Sequence, residues 1–356
     1  MENLSKDFIG KAFVGIDVHK NSWKVCVLGD VGFKKEFSCD PETKVLVKSL
    51  ENLLPKFSFD CAYEAGFSGF WLHDELYEYE GFNCIVVNAA DIPTSDKERA
   101  QKEDRRDARK IASQLKAGAL RGIYVPSKED VSLREVQRLR YTMTKDLVRY
   151  QARIKSFLMR HGIEVPKAQF KDAKAHWSKK FMKWLSALKL GTAGLSFTLN
   201  QLIETTTRFR AQKAAVLLEL RKQIQASSKK NAFEKLMSIP GIGVIGASTI
   251  LTEVVDINRF RTYEKFHSFI GLVPSTNSSD VVEKIRGITH RSNRRLRNVL
   301  IEASWIAIRY NTDLFVKYNE LKQRMNSNKA IIRVAKKLSS QVRYVLLELE
   351  RQATTA

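Results

Sequence analysis

Long apolar runs are missing from this 356-residue chain. No stretch approaches the roughly 18 consecutive apolar residues of a membrane-spanning helix. The opening MENLSKDFIGKAF lacks the charged-then-apolar form of a signal peptide, so a cytoplasmic protein without a membrane partner is expected. Cysteine is scarce. Cys26, Cys39, Cys61 and Cys84 all fall in the first quarter, with no CxxC or CxxxxC spacing. That argues against a disulfide framework or a zinc site and for reduced thiols. Acidic residues are also few overall: 39 Asp and Glu stand against 61 Lys and Arg, a net charge of +22. The deficit is uneven. Residues 1–100 carry 17 acidic and 11 basic side chains, whereas the remainder carries 22 and 50. An acidic first part joined to a strongly basic remainder suits a nuclease-like site attached to nucleic-acid-binding parts.

The first part alternates like strands. Phe13–Val18, Trp23–Leu28 and Phe33–Ser38 are short, β-branched or aromatic, and separated by turn sequences, which predicts a three-stranded antiparallel meander. A helix over Glu42–Leu54, a strand over Ser58–Tyr63, a helix over Gly69–Glu80 and a strand over Asn83–Val87 are expected next. A charged helix is expected from about Asp91–Pro93 to Lys116. Three antiparallel strands followed by α-β-α-β-α is the order of an RNase H-like α/β domain, assigned to 1–126.

After Pro126 the pattern becomes helical. Ser127–His161 lacks glycine and proline and repeats apolar residues at helical spacing, and Leu195–Ser227 does the same. Together they predict a long antiparallel coiled coil over 127–230. The piece between, Gly162–Gly194, contains KAHWSKKFMKWLSALKL. This helix either packs its tryptophans or contacts nucleic acid, and sequence does not separate the two. From residue 231 to 356 a mostly α domain is expected. It opens with MSIPGIGVIGASTIL, where Gly241 and Gly243 form a helix-hairpin-helix pattern that offers backbone N–H groups to a phosphate.

Asp17 is a single acid among Val14, Ile16 and Val18, an awkward place for a charge unless something pairs with it. Glu64 falls where the fourth strand meets its loop, and Asp104 and Asp107 share one helical face. With the first and fourth strands as neighbours, these four acids from three segments converge. Clustered carboxylates raise one another's pKa unless cations bind, and oxygen ligands suit Mg²⁺ and phosphodiester chemistry. Each acid has an ordinary alternative: an edge acid at Asp17, a helix cap at Glu64, pairs with Arg105, Arg106 or Arg109 for the two helical aspartates.

Several ordered motifs resemble the insertion sequence 110 family of bacterial transposases, related to Piv-type DNA invertases. VGIDVHKNSWKV is similar to the family's opening strand motif, AYEAGFSGFWL to its second and DRRDARKIA to its third. SIPGIGVIGASTILTEVVDINRFRTYEKFHSFIGLVPSTNSSD and GITHRSNRRLRNVLIEASW resemble its C-terminal domain. The resemblance implies a RuvC-like domain whose acids, here Asp17, Glu64, Asp104 and Asp107, bind Mg²⁺. It implies a serine nucleophile matched by Ser279, with Ser278 beside it as the alternative, and Arg286 and His290 as cations near the reacting phosphate. Within the second C-terminal motif, Arg294, Arg295 and Arg297 join Gly241 and Gly243 as expected DNA- and RNA-binding residues. The family further implies donor and target DNA as partners, a non-coding bridge RNA as guide, dimers that join into tetramers, and a bacterial, nucleoid-associated setting. Two departures stand out: Asp280 replaces the glycine after the serine, and His290 replaces a lysine. The rival readings are an invertase, a RuvC-like junction nuclease in which water attacks, and a decayed transposase that only binds nucleic acid.

Overall fold

The computed structural model describes residues 8–29, 32–92, 104–170, 175–279, 282–288 and 292–355. The chain divides into two units, Met1–Val125 and Pro126–Ala356.

The first unit is built on strands β1 (Gly10–Asp17), β2 (Trp23–Gly29), β3 (Lys34–Cys39), β4 (Phe57–Glu64) and β5 (Phe82–Val87). They form one mixed sheet in the order β3-β2-β1-β4-β5. β1 pairs antiparallel with β2 and parallel with β4, so the expected neighbour relation between first and fourth strands holds. Alternation decides the faces. Val14, Ile16, Trp23, Val25, Phe59, Cys61 and Tyr63 point to one side, where Leu46 and Leu50 of α1 (Thr43–Leu53) and Leu72 and Leu76 of α2 (Trp71–Leu76) cover them. Cys26 and Ala62 point to the other, beneath Ala108, Ile111 and Ala112 of α3 (Asp104–Lys116). Two covered faces explain why β1 is nearly continuous in apolar residues.

One sequence expectation needs correction here. α2 is six residues long rather than spanning Gly69–Glu80. It is followed by Gly81 at φ +84°, a conformation that glycine adopts at low cost. Of the charged helix expected from about Asp91–Pro93 to Lys116, the described part runs Asp104–Lys116; a 3₁₀ turn covers Ala89–Asp91, and residues 93–103 lie outside the described residues. The Asn88 side chain accepts from the Ala90 N–H and closes this local turn. The four cysteines are free, and burial pushes the Cys26 thiol up to about 11.

The second unit opens with α4 (Lys128–Arg160), N-capped by Ser127, and continues through α5 (Lys179–Ser186), α6 (Ala193–Ala226), α7 (Lys230–Met237) and α8 (Val244–Val254). α9 (Tyr263–Ile270) precedes the hairpin of β6 (Pro274–Ser279) and β7 (Val282–Ile288), and α10 (Arg294–Ala307), α11 (Thr312–Arg324) and α12 (Ser327–Thr355) follow it. α4 and α6 are each about 50 Å long at 1.5 Å per residue and run antiparallel. Leu133 meets Leu220 and Ile224 at one end, Tyr150 meets Phe209 midway with ring centroids 5.3 Å apart, and Phe157 shares a cluster with Leu199 at the other. The pair thus joins two apolar cores. At its tip, Phe170, Phe181 and Trp184 pack on Phe157 and Leu158, so the aromatic residues of the piece between the long helices build a small core. The hairpin β6–β7 is a second correction to an expectation of helices and loops alone. The polar run PSTNSS gains strand structure from pairing with VEKIRGI, the next strand along the chain, and carries no apolar alternation of its own to mark it. Among the described residues, no helix is long and apolar enough to cross a membrane.

Candidate active site

Asp17 is the last residue of β1 and Glu64 the last of β4. Ile16 pairs with Tyr63, so the two acids stand side by side, one register step further, at the carboxyl edge of two parallel strands. Both share their strand's face with the residue two positions earlier, Gly15 and Ala62, and therefore face α3.

Gly15 sets the distance of that helix. A Cβ on Gly15 would lie 2.1 Å from the Ala108 carbonyl oxygen and 2.4 Å from the Ala112 nitrogen. Only glycine lets the two backbones come this close. The direction of α3 follows from its other end, where Lys116 Nζ donates to the Gly29 carbonyl, opposite Ala12 near the start of β1. α3 therefore runs against β1. From the Ala108–Ala112 crossing at Gly15, two strand residues cover about 6.6 Å, or about four helical residues at 1.5 Å each. Asp104 and Asp107 thus lie level with Asp17. The Asp107 side chain is half-buried; the Asp104 side chain is outside the described set.

Two contacts tune this edge. His19 Nε2 lies 2.9 Å from Asp17 Oδ2 and donates to it when protonated at that nitrogen. Arg109 of α3 reaches Glu36 of β3 through two bonds, of 2.7 and 3.1 Å, and its bond to Glu36, with help from Lys34, holds that carboxyl down at about 2. Arg109 is thereby committed to Glu36 and clamps α3 to the sheet. Beside Asp17's register partner Lys24 opens a cleft of about 220 Å³, lined by Lys24, Val25, Glu36, Phe37, Ser38 and Ala108. The donor set at the edge is all oxygen, which suits a hard divalent cation. Among the described residues no three His, Cys, Asp or Glu side chains stand close enough together to hold an ion.

The other expected residues lie in the second unit. Ser279 ends β6, opposite Val282, and Ser278 stands opposite Glu283; Arg286 lies on β7. Asp280 and His290 lie outside the described residues. The hairpin returns into α10 through Asn293, whose side chain caps α10 at the Leu296 N–H and also donates to Glu253 Oε2 at 2.7 Å. Glu253 of α8 is 3% exposed and takes two 3.1 Å bonds from Arg138 of α4. Burial raises its pKa, but the bonds from Arg138 and Asn293 outweigh this and hold the carboxyl below its ordinary range. One buried carboxylate thus ties α4, α8 and the start of α10 together.

The two glycines of the hairpin motif differ. Gly241 sits at φ +90°, and a Cβ there would lie 2.2 Å from the Ala303 carbonyl oxygen, so it serves the packing of α10. Gly243 is exposed, has open space around it and is the N-cap of α8, with no side-chain cap on the first turn. The three arginines of α10 differ as well. Arg294 is exposed. Arg295 lies over the Tyr141 ring at 5.3 Å with its Nε buried, and Arg297 reaches Ser292 Oγ at 3.2 Å. Sequence reasoning passed over Gly15, His19 and Glu253. An isolated glycine inside a strand signals a close backbone approach, and His19 follows Asp17 at the strand's own two-residue period. Glu253 left no signal, because its partners are remote in sequence.

Residues 233–320 match the model described as the transposase IS116/IS110/IS902 family, and residues 14–163 match a DEDD-type transposase model of the insertion sequence 110 kind. The chain is 28% identical over 305 residues to the putative transposase y4qE of Sinorhizobium fredii, covering 83% of this chain and 71% of that protein. It is 27% identical over 312 residues to the transposase for insertion sequence element IS1533 of Leptospira borgpetersenii, covering 83% and 85%. It is 25% identical over 247 residues to the transposase for IS1111A of Coxiella burnetii, covering 67% and 65%.

Proposed function

We propose, for a chain that belongs to the IS116/IS110/IS902 family of transposases, a reaction in which an acidic edge and a serine act together on a DNA phosphodiester. In this reading the first unit is an RNase H-like, RuvC-like domain. Asp17, Glu64, Asp104 and Asp107 would hold Mg²⁺, which when bound polarises a phosphoryl oxygen. The observation that carries the reading is the meeting of Asp17, Glu64 and the first turn of α3 at one carboxyl edge, enforced by Gly15. His19 orients the Asp17 carboxylate, as an outer hydrogen bond does for a ligand.

Ser279, or its neighbour Ser278, is the proposed nucleophile. Its Oγ forms a bond to phosphorus as a phosphorus–oxygen bond to deoxyribose breaks, and the leaving oxygen takes a proton. A serine hydroxyl needs a base or a cation to react; Arg286 and His290 are proposed to ease the developing charge. Gly243 at the uncapped start of α8 and the exposed Arg294 support backbone phosphate binding, and Gly241, Arg295 and Arg297 shape that surface. The long helix pair is read as a coiled coil, the turn at 238–243 as a helix-hairpin-helix, and the parts as 1–126, 127–230 and 231–356. A bridge RNA, assembly to dimers and tetramers, and a place on the bacterial nucleoid complete the proposal. The 43 basic against 19 acidic residues of 126–356 support a polyanionic partner.

The test is divalent-dependent cleavage of the element's end by the full chain. Asp17→Asn and Glu64→Gln are expected to abolish cleavage with unchanged melting, and Ser279→Ala to abolish a covalent protein–DNA adduct. A second reading, cleavage by water, is favoured by the placing of acids and serine in different units. Cleavage that survives Ser279→Ala and Ser278→Ala without any adduct would establish it.

A further inference from the structure

The loop leaving Glu64 holds an aromatic ring in solvent. Phe67 is 74% exposed, although its neighbour Ser68 is 5% exposed. The loop is braced rather than loose. Ala65 N–H donates to the Val87 carbonyl at 2.8 Å, Gly69 N–H to the Gly66 carbonyl at 3.2 Å, and Tyr63 Oη to the Gly69 carbonyl at 3.0 Å. Gly69 makes the turn at φ +57°. The ring of Phe67 therefore stands at the apex of a tight, hydrogen-bonded turn.

A second aromatic borders the same edge. Trp71 is 42% exposed and rests on Trp23, with ring centroids 5.8 Å apart and planes tilted by 41°. Trp23 is fully buried and opens β2, one residue before Asp17's register partner Lys24. Phe67 lies three residues from Glu64, so their Cα atoms are at most about 11 Å apart. Bases along a strand rise about 3.4 Å each. A phosphate at Asp17 and Glu64 thus brings a base only a few nucleotides away within reach of Phe67.

We propose that Phe67 is a stacking seat for one unpaired base of the DNA strand whose phosphate lies at the Asp17–Glu64 edge, with Trp71 as its flank. The ligand's identity rests on the transposase reading above. An aromatic face accepts any base but needs one out of its duplex stack, which strand exchange supplies. A base fits better than a protein surface here, because Phe67 stands on a tight turn beside carboxylates with one aromatic flank, Trp71, and not in a broad apolar patch.

The test measures affinity of the full chain for single-stranded and duplex oligonucleotides at two salt concentrations. Phe67→Ala is expected to weaken single-strand binding about tenfold, within the range for loss of one base stack, with melting and duplex affinity unchanged. The factor should be the same at both salts, because stacking releases no counterions. Phe67→Trp should retain affinity and Phe67→Leu should behave as Phe67→Ala. Equal affinity of Phe67→Ala and the parent, or full affinity in Phe67→Leu, overturns the stacking seat while salt-sensitive binding by the parent leaves the transposase reading intact. A parent chain that binds no DNA overturns both. A change of oligomeric state in Phe67→Ala without loss of single-strand affinity assigns the ring to a second copy of this chain and also overturns it.

Discussion

Gly15→Ala tests how the acidic edge is held. The added methyl would sit 2.1 Å from the Ala108 carbonyl oxygen and 2.4 Å from the Ala112 nitrogen. Both are backbone atoms of a helix, so no side chain can swing away. Reaching ordinary contact requires α3 to retreat by about 1 Å, and overpacking of this kind costs about 1–3 kcal/mol. The retreat carries Asp104 and Asp107 away from Asp17 and Glu64. A misplacement of about 1 Å costs on the order of a hundredfold in rate. The first measurement is thermal melting of Gly15→Ala, which should fall by several degrees. The second is divalent-dependent cleavage at a temperature where the variant stays folded, which should fall at least tenfold. Gly194→Ala, in open space on α6, is the control and should leave both unchanged. Full cleavage by Gly15→Ala would refute the claim that close approach of α3 positions the acids, even if melting fell.

Three further predictions concern other parts of the molecule. Glu253→Ala removes a buried carboxylate that Arg138 and Asn293 both bond, and should cost about 3 kcal/mol in denaturant unfolding; a loss under 1 kcal/mol would contradict the bracing role. The Glu36 carboxyl lies lower in the folded chain, at about 2, than in the unfolded one, at about 4.3. Its contribution to stability is therefore complete above about 4.3 and lost as pH falls through about 2. Melting of Glu36→Gln and the parent should differ at pH 6 and converge near pH 2; a constant difference would show that Arg109 does not act through the charge. Nucleic-acid affinity should fall steeply with salt, given the basic excess of 126–356, and a flat response in a filter-binding titration would remove the phosphate-contact assignment.

The five strands and their order were legible because the sheet's signal is local: alternation and turns mark each strand, and chain order limits how they pair. The convergence of Asp17 with Glu64 followed from that order alone. The long helices were legible for the same kind of reason, as stretches free of glycine and proline. The β6–β7 hairpin was not, since PSTNSS takes its structure from a partner strand. The roles of Arg294, Arg295 and Arg297 were equally hidden, because three neighbours in sequence point to solvent, to Tyr141 and to Ser292.

By itself, the sequence determined the class of elements, the acids on strand ends and the basic balance of the remainder, all properties of short windows or of sums. Tertiary structure decided what depends on distance between remote segments. It made Gly15 the spacer beneath α3, committed Arg109 to Glu36, turned Gly241 toward α10 while leaving Gly243 open, and buried Glu253 of α8 between Arg138 of α4 and Asn293 at the start of α10. Close packing fixes such separations to within an ångström, and no local pattern carries that information.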